Sequence, residues 1–316
     1  MMHKKDSVVI GTGYWGENII KDLIKSKRLY AVIETNLQRA KIIENKYNVR
    51  IIKFNDLIDK KIKNCFITTP SYLHYKHCMK VIKYKKNIFV EKPLAFNKKE
   101  IETVIKQIKN KKIIFMVGYL LLHHPALSVL KEIIKNKINK IILIKSSRKS
   151  NGKIRPKDNV IWNLAIHDLA YFLDIFGLNI KSMKNLNFRF LDKKIDESKI
   201  HLIFKNNIEY SGEFSWLNIE KSQNITIQTD KEIYRFDDLS VNKLIKFKYK
   251  MVNDNQNNKK MKIFNQKIIK FPKISPLENE IKFFLTRADD KKRKAYNNLN
   301  FTKYLTKTIS GLSKVI

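Results

Sequence analysis

Cysteine and arginine are scarce in this chain of 316 residues, acidic side chains are outnumbered more than two to one by basic ones, and long apolar runs are missing. Only Cys65 and Cys78 are present, without paired spacing, which excludes a disulfide framework and reads as two buried small hydrophobes. Although 43% of residues are hydrophobic, no stretch nears the roughly 18 apolar residues of a membrane helix. A soluble protein is expected, with no membrane partner. Met1-Met2-His3-Lys4-Lys5-Asp6 leads into a strand without an apolar leader, so a cytoplasmic location is expected. Few arginines bear on the formal net charge of +36. Such a charge argues for a polyanion partner, but the lysines are spread along the whole chain, and Lys, Ile and Asn are all over-used, as in AT-rich coding sequence. The residue that reads guanine edges and clamps phosphates is the rare one. A solvated basic surface with no specific nucleic-acid partner is expected, in a field that attracts an acidic or phosphorylated small substrate.

The length allows two domains of ordinary size. In the first third, apolar runs at residues 8–10, 30–33, 50–53, 65–68, 88–90 and 113–117 predict strands. Helical periodicity lies between them at 16–26, 37–46, 73–84 and 98–109. Strands alternating with helices imply a parallel sheet. Past Gly118 the pattern predicts a helix over 125–135, a strand over 140–148, a helix over 164–176 and successive period-two strands from 185 to 249, hence an antiparallel sheet. Residues 253–262, rich in Asn and Lys, predict an exposed loop, and helices over 277–287 and 302–312 finish the chain. There is no internal repeat.

Gly11-Thr12-Gly13-Tyr14-Trp15-Gly16 follows the run Ser7-Val8-Val9-Ile10 and opens a helical segment, the context a dinucleotide fingerprint requires. Gly11 permits the tight turn, Gly13 lets backbone approach a pyrophosphate, and Gly16 lets helix pack on strand. Tyr14 and Trp15 are expected against cofactor or the second domain. Glu34, eighteen residues after Gly16 at the end of the next strand, suits the ribose hydroxyls and repels a 2'-phosphate, favouring NAD over NADP. Arg39 on the following helix leaves some NADP tolerance open. A solvated strand-end charge is the plain alternative for Glu34.

Thr69-Pro70-Ser71 with His74, followed by Glu91-Lys92-Pro93-Leu94-Ala95, resembles the oxidoreductase family named for glucose-fructose oxidoreductase, inositol dehydrogenase and a rhizopine-catabolism protein (Gfo/Idh/MocA). Gly118, His123-His124-Pro125-Ala126, Arg148 to Arg155, Asn159 to Asn163 and His167-Asp168 resemble its branch acting at C3 of UDP-linked amino sugars. Ser215-Trp216-Leu217, Phe236-Asp237-Asp238 and Pro276-Leu277-Glu278 agree. The resemblance covers essentially the whole chain. It implies a fold that is α/β plus α+β: an N-terminal Rossmann doubly wound parallel sheet over 1–120 binding NAD, and a C-terminal open-faced, mainly antiparallel sheet over 121–316. The second domain would bind substrate and form a homo-oligomer, dimer or tetramer, with the terminal helices returning towards the first. The resemblance also places Thr69, Pro70 and His74 at the cofactor, and often a cis peptide before Pro93.

The chemistry suits these residue types. Hydride transfer between a sugar carbinol and nicotinamide requires a group that takes or returns the hydroxyl proton, and His167 can do so near neutral pH. Lys92 can donate a hydrogen bond to the same oxygen. Glu91 orients Lys92, contacts cofactor or forms a plain salt bridge; Asp168 orients His167, caps its helix or meets substrate hydroxyls. Asn163 stands where family members commonly carry Asp, four residues before the histidine, which weakens a carboxylate relay and suits the amino-sugar branch. Arg148, Lys153 and Arg155 flank Gly152 in an expected loop, where they grip a diphosphate or are solvated charges. His74 and His77 lack partners at ligand spacing, so no metal is expected. The expected function is an NAD-dependent sugar dehydrogenase acting on a UDP-linked N-acetyl amino sugar or uronate in surface polysaccharide biosynthesis. A nucleotide-sugar ketoreductase, another polyol dehydrogenase and a non-catalytic nucleotide-binding regulator are the alternatives.

Overall fold

Ser7-Val8-Val9-Ile10 forms strand β1 (Ser7–Ile10) with all four residues buried, as a parallel strand covered on both faces requires. The computed structural model describes residues 5–314 apart from 153, 155–157, 192, 255 and 291–295. The chain divides into two compact units, one up to Leu120 together with Pro276–Ser310, the other Leu121–Ser275 together with the residues from Gly311.

In the first unit β1 is followed by α1 (Tyr14–Lys25), β2 (Leu29–Ile33), α2 (Leu37–Tyr47), β3 (Asn64–Ile67), α3 (His74–Lys83), β4 (Asn87–Glu91), α4 (Lys98–Ile108) and β5 (Phe115–Gly118). The strands pair in parallel in the order β2-β1-β3-β4-β5. Residues 50–53, predicted as a strand, contribute one parallel bridge, Ile51 to Val32, beyond β2. Counted as a vestigial strand, it turns the order into the 3-2-1-4-5-6 of a dinucleotide-binding sheet, whose switch point lies between β1 and β3. Lys53 to Ile58 then leaves the sheet because Asp56 accepts from the Lys53 N–H and starts a 3-10 turn.

The last helices in sequence are α7 (Pro276–Asp289) and α8 (Leu299–Leu312). The second domain was expected to run through both helices to residue 316; up to Ser310 they belong to the first unit. The physical reason is α7's apolar stripe, Leu277, Ile281, Phe284 and Leu285, which shares a core with Phe66 and Phe89. The rings of Phe66, Phe89 and Phe284 lie 5.1–5.8 Å apart, and each such pair adds about 0.5–1.5 kcal/mol beyond its buried area. Before α8, Asn297 bridges Phe115, and the Asn298 side chain bonds both polar groups of Val117, so the open edge of β5 is covered.

The second unit contains α5 (Pro125–Lys135), β6 (Ile141–Asn151), α6 (Ile166–Phe176), β7 (Ile180–Phe188), β8 (Glu197–Phe204), β9 (Glu209–Ser215), β10 (Leu217–Thr229), β11 (Glu232–Asp237), β12 (Leu244–Asn253) and β13 (Lys259–Ile268). Their order is β13-β12-β11-β10-β6-β9-β8-β7, with only β6 and β9 parallel. Alternate residues such as Ile200, Leu202 and Phe204, or Tyr210 and Phe214, are buried. Phe172 and Phe176 of α6 pack against Tyr210 and Phe204 with their rings tilted. Leu186, Ile219 and Ile263 are exposed. The loop predicted over 253–262 is shorter, because β13 begins at Lys259. All ten residues of β13 are exposed, so backbone pairing to β12 sustains it and no alternation of burial marks it. Among the described residues no helix is long and apolar enough to cross a membrane.

Candidate active site

The end of β1 turns sharply at Gly11, whose φ of +92° only glycine adopts without strain. A Cβ on Gly16 would stand 2.2 Å from the Gly11 carbonyl oxygen, so this glycine is what lets α1 start against the turn. A Cβ on Gly13 would meet no atom within 4 Å, and Gly13 caps α1 with no side-chain hydrogen bond. The three glycines therefore divide the labour as the fingerprint predicts: turn, open approach, close packing. First-turn N–H groups of such a helix are suited to a phosphate. Tyr14 is exposed, while Trp15 packs on the core of the first unit.

Glu34 closes this end of the sheet. Its Oε2 accepts from the N–H and hydroxyl of Thr12 at 3.0 and 2.6 Å, and its Oε1 from the N–H groups of Thr35 and Asn36. Burial pushes its pKa up, yet these four hydrogen bonds outweigh burial and hold it below the ordinary value, so Glu34 is ionised at neutral pH. Arg39 donates through Nε to the Thr12 carbonyl at 2.7 Å and pairs with Glu17. Thr12, which lies between two glycines of the fingerprint, is thus the residue that joins Glu34 to Arg39. The donor set fits a dinucleotide: an open phosphate turn, a carboxylate at the second strand end, and a guanidinium beside it.

Thr69 and Pro70 follow β3, and the His74 ring joins them to the next strand end. Its Nε2 lies 2.6 Å from the Thr69 carbonyl and its Nδ1 2.8 Å from the Pro93 carbonyl, with 2% of the residue exposed. This ring, expected beside the nicotinamide, ties two loops of the chain to one another. Carbonyl oxygens only accept, so both bonds form together when both ring nitrogens carry protons. His77 bonds the Thr69 hydroxyl and packs on Phe54; burial and then Lys80 lower it to about 4, so it is neutral. Among the described residues no group of side chains could hold a metal ion. Glu91 ends β4 opposite Gly118 of β5, and the Lys92-Pro93 peptide that follows is cis.

In the second unit the Asn159 side chain accepts from the N–H groups of Ile161 and Trp162, starting a π-helical turn over Ile161–Ala165 that runs into α6. Such turns recur at functional sites, and periodicity predicts an ordinary helix here. The turn leaves Asn163 and His167 half-buried on one side and sends Asp168 inward. Asp168 is 0% exposed, and its Oδ1 accepts from Nε and Nη2 of Arg148 at 3.0 and 2.7 Å. Arg148, expected in a loop gripping a diphosphate, is a strand residue 6% exposed. Both it and Asp168, expected at the substrate, are committed to each other in the interior, because residues of β6 alternate and 144, 146 and 148 point into the core. Lys153 and Arg155 lie outside the described residues.

The remaining motif residues of the second unit make local structural contacts. The His124 ring accepts from the Ala126 N–H, capping α5, and stands 3.3 Å from Asp238, which Lys243 also contacts. Burial raises the Asp238 carboxyl, but the bonds to His124 and Lys243 win and hold it well below the carboxylate range. Trp216 donates to Asp196 at 2.8 Å. Burial lowers His123 to about 4, Asp174 opposing it.

Residues 5–119 match an oxidoreductase family, Gfo/Idh/MocA, described by its NAD-binding Rossmann fold. Oxidoreductase P35 of Formosa agariphila is 23% identical over 202 residues, covering 58% of this chain and 61% of that protein. The scyllo-inositol 2-dehydrogenase (NAD(+)) of Bacillus subtilis is 25% identical over 224 residues, 65% of each. The chain thus matches less than two thirds of the length of these relatives. A UDP-N-acetylglucosamine 3-dehydrogenase from Acidithiobacillus ferrooxidans has the same fold, with a TM-score of 0.82 at 17% identity over 98% of this chain and 96% of that one. The sheet order with its glycine turn, the Thr69 to Pro93 segment and the match over 5–119 agree, and residues 5–119 are an NAD-binding Rossmann domain of the Gfo/Idh/MocA oxidoreductase family.

Proposed function

We propose that this oxidoreductase moves a hydride between NAD and a sugar carbinol, at C3 of a UDP-linked N-acetyl amino sugar or uronate, in surface polysaccharide biosynthesis. The observation that carries the reading is Lys92, placed directly after β4 at the carboxyl edge of the parallel sheet, where ligands of such sheets gather. The amino-sugar specificity is supported by the likeness in fold to the UDP-N-acetylglucosamine 3-dehydrogenase and by the run Asn159 to Asp168. The bound nicotinamide supplies the hydride acceptor at its C4.

The chain's own residues handle the proton and the charge. Lys92 donates a hydrogen bond to the carbinol oxygen and stabilises its alkoxide character as the C–H bond breaks. His167 takes the hydroxyl proton, and returns it when the reaction runs in reverse. Glu34 favours NAD by meeting the ribose hydroxyls and repelling a 2'-phosphate. Exposed Leu186, Ile219 and Ile263 on the sheet of the second unit support self-association. The test is absorbance at the reduced-nicotinamide band when protein and NAD meet a panel of UDP-linked N-acetylhexosamines and their uronic acids. A rise with one member is expected; no rise with any, while calorimetry shows NAD bound, would overturn the substrate class.

A further inference from the structure

α7 carries one ionisable side chain, Glu280, into the interior of the first unit, on a face otherwise made of Leu277, Ile281 and Phe284. Glu280 is 1% exposed and its Oε1 has no hydrogen-bond partner. The N–H of Tyr119, just past β5, donates to its carboxyl group. A Cβ on Gly118 would stand 3.3 Å from Oε1, which places the group against the last residue of β5. Gly118 is in register with Glu91, the last residue of β4. Glu280 therefore stands behind the strand end from which Lys92 emerges.

The surroundings decide its charge. Burial first, and the charge of Glu91 second, hold the Glu280 proton on well above the ordinary carboxyl range, with the Tyr119 N–H opposing. The same core receives Ile20 and Leu23 from α1 and Phe66 from β3, all apolar. The Tyr119 hydroxyl is engaged with Thr302, and the acids at the two ends of α7 look elsewhere, Glu278 to Lys25 and Asp289 to Arg28. We propose that Glu280 is a positioning residue, a neutral carboxylic acid behind the Glu91-Lys92-Pro93 turn that restricts this strand end to the single negative charge of Glu91. A second carboxylate there would draw the Lys92 ammonium back towards the strand ends and away from a substrate oxygen. The role given to Lys92 rests on the proposed dehydrogenase reading; the protonation of Glu280 does not.

Two measurements on the full chain need no substrate. The infrared difference between wild type and Glu280→Gln at pH 7 should show the C=O stretch of a protonated carboxyl group in the wild type only; its absence overturns the proposal. Because Glu280 keeps its proton when folded and releases it when unfolded, the wild type loses stability as pH rises above the ordinary value of 4.5 towards the folded one. The melting temperature of Glu280→Gln minus that of wild type should therefore grow between pH 5 and pH 9. A difference that stays flat overturns the proposal even if the variant is weakened overall, and Glu280→Ala, losing what Gln keeps, controls for packing. With a turnover assay, kcat/KM of wild type should begin its alkaline fall at lower pH than that of Glu280→Gln, which keeps only the fall that follows loss of the Lys92 proton. Identical alkaline profiles would sink the positioning role, while a positive infrared band without turnover on any sugar would sink the dehydrogenase reading and leave the buried acid standing.

Discussion

Both hydrogen bonds from the Arg148 guanidinium to Asp168 end on one oxygen, Oδ1, and the other oxygen of that fully buried carboxylate has no hydrogen-bond partner. The pair ties β6 to the first turn of α6, one residue after His167. A buried ion pair is weak support as a pair but costly to halve, since the survivor keeps its charge without water. Asp168→Ala should therefore lower unfolding free energy by about 3–5 kcal/mol. The double variant Arg148→Met, Asp168→Leu should recover much of that loss in the same urea titration. A single variant as stable as wild type would contradict the geometry.

Much of this organisation is legible in sequence, and the parts that are not share a cause. Buried parallel strands such as Val8 to Ile10 announce themselves because both faces need apolar side chains. β13 does not, since nothing covers it and its residues follow no burial rule. The π-helical turn before α6 is hidden because one extra residue per turn leaves composition unchanged. Arg148 and Asp168 look like ligands for a substrate when spacing is all that is seen, and their burial appears only when β6 and α6 are packed. Thr12 carries no chemistry of its own, so its part in holding Glu34 and Arg39 emerges from the hydrogen bonds alone.

Cofactor preference should follow Glu34 and Arg39. Glu34→Ser removes the carboxylate that repels a 2'-phosphate and leaves the guanidinium beside it. NAD affinity should drop by roughly tenfold or more, and NADP affinity should rise, the worth of one charge-assisted contact being about 1.5–3 kcal/mol. Isothermal titration with both nucleotides reads the change; an unaltered preference would remove Glu34 from the ribose site.

The same carboxylate gives a pH signature. Its folded pKa is below the ordinary 4.5, so the stability it contributes is present above that value and is lost as pH falls through the folded value. Melting curves between pH 6 and pH 3 should show Glu34→Gln converging on wild type in acid. Parallel curves would show that its four hydrogen bonds do not favour the ionised form.

Lys92→Ala and His167→Ala test the proposed chemistry by separating binding from turnover. Removing a positioned acid or base costs roughly 100- to 10,000-fold in rate. Both variants should lose turnover on that scale while NADH fluorescence still reports binding, and near-normal rates in both would end the scheme.

Self-association can be tested on the exposed side of the second unit's sheet, where Ile219 is 93% exposed on β10. An interface between two copies related by a twofold axis uses each residue twice, so one substitution places two changes in it. Ile219→Lys adds a charge whose desolvation would have to be met at both copies, in a chain whose net charge is already +36. Light scattering behind size exclusion should show the wild type as an oligomer and the variant shifted towards monomer, the more so at low salt, where repulsion between copies is least screened. A wild type that is monomeric would end the self-association reading, and a variant that associates unchanged would place the contact between copies elsewhere.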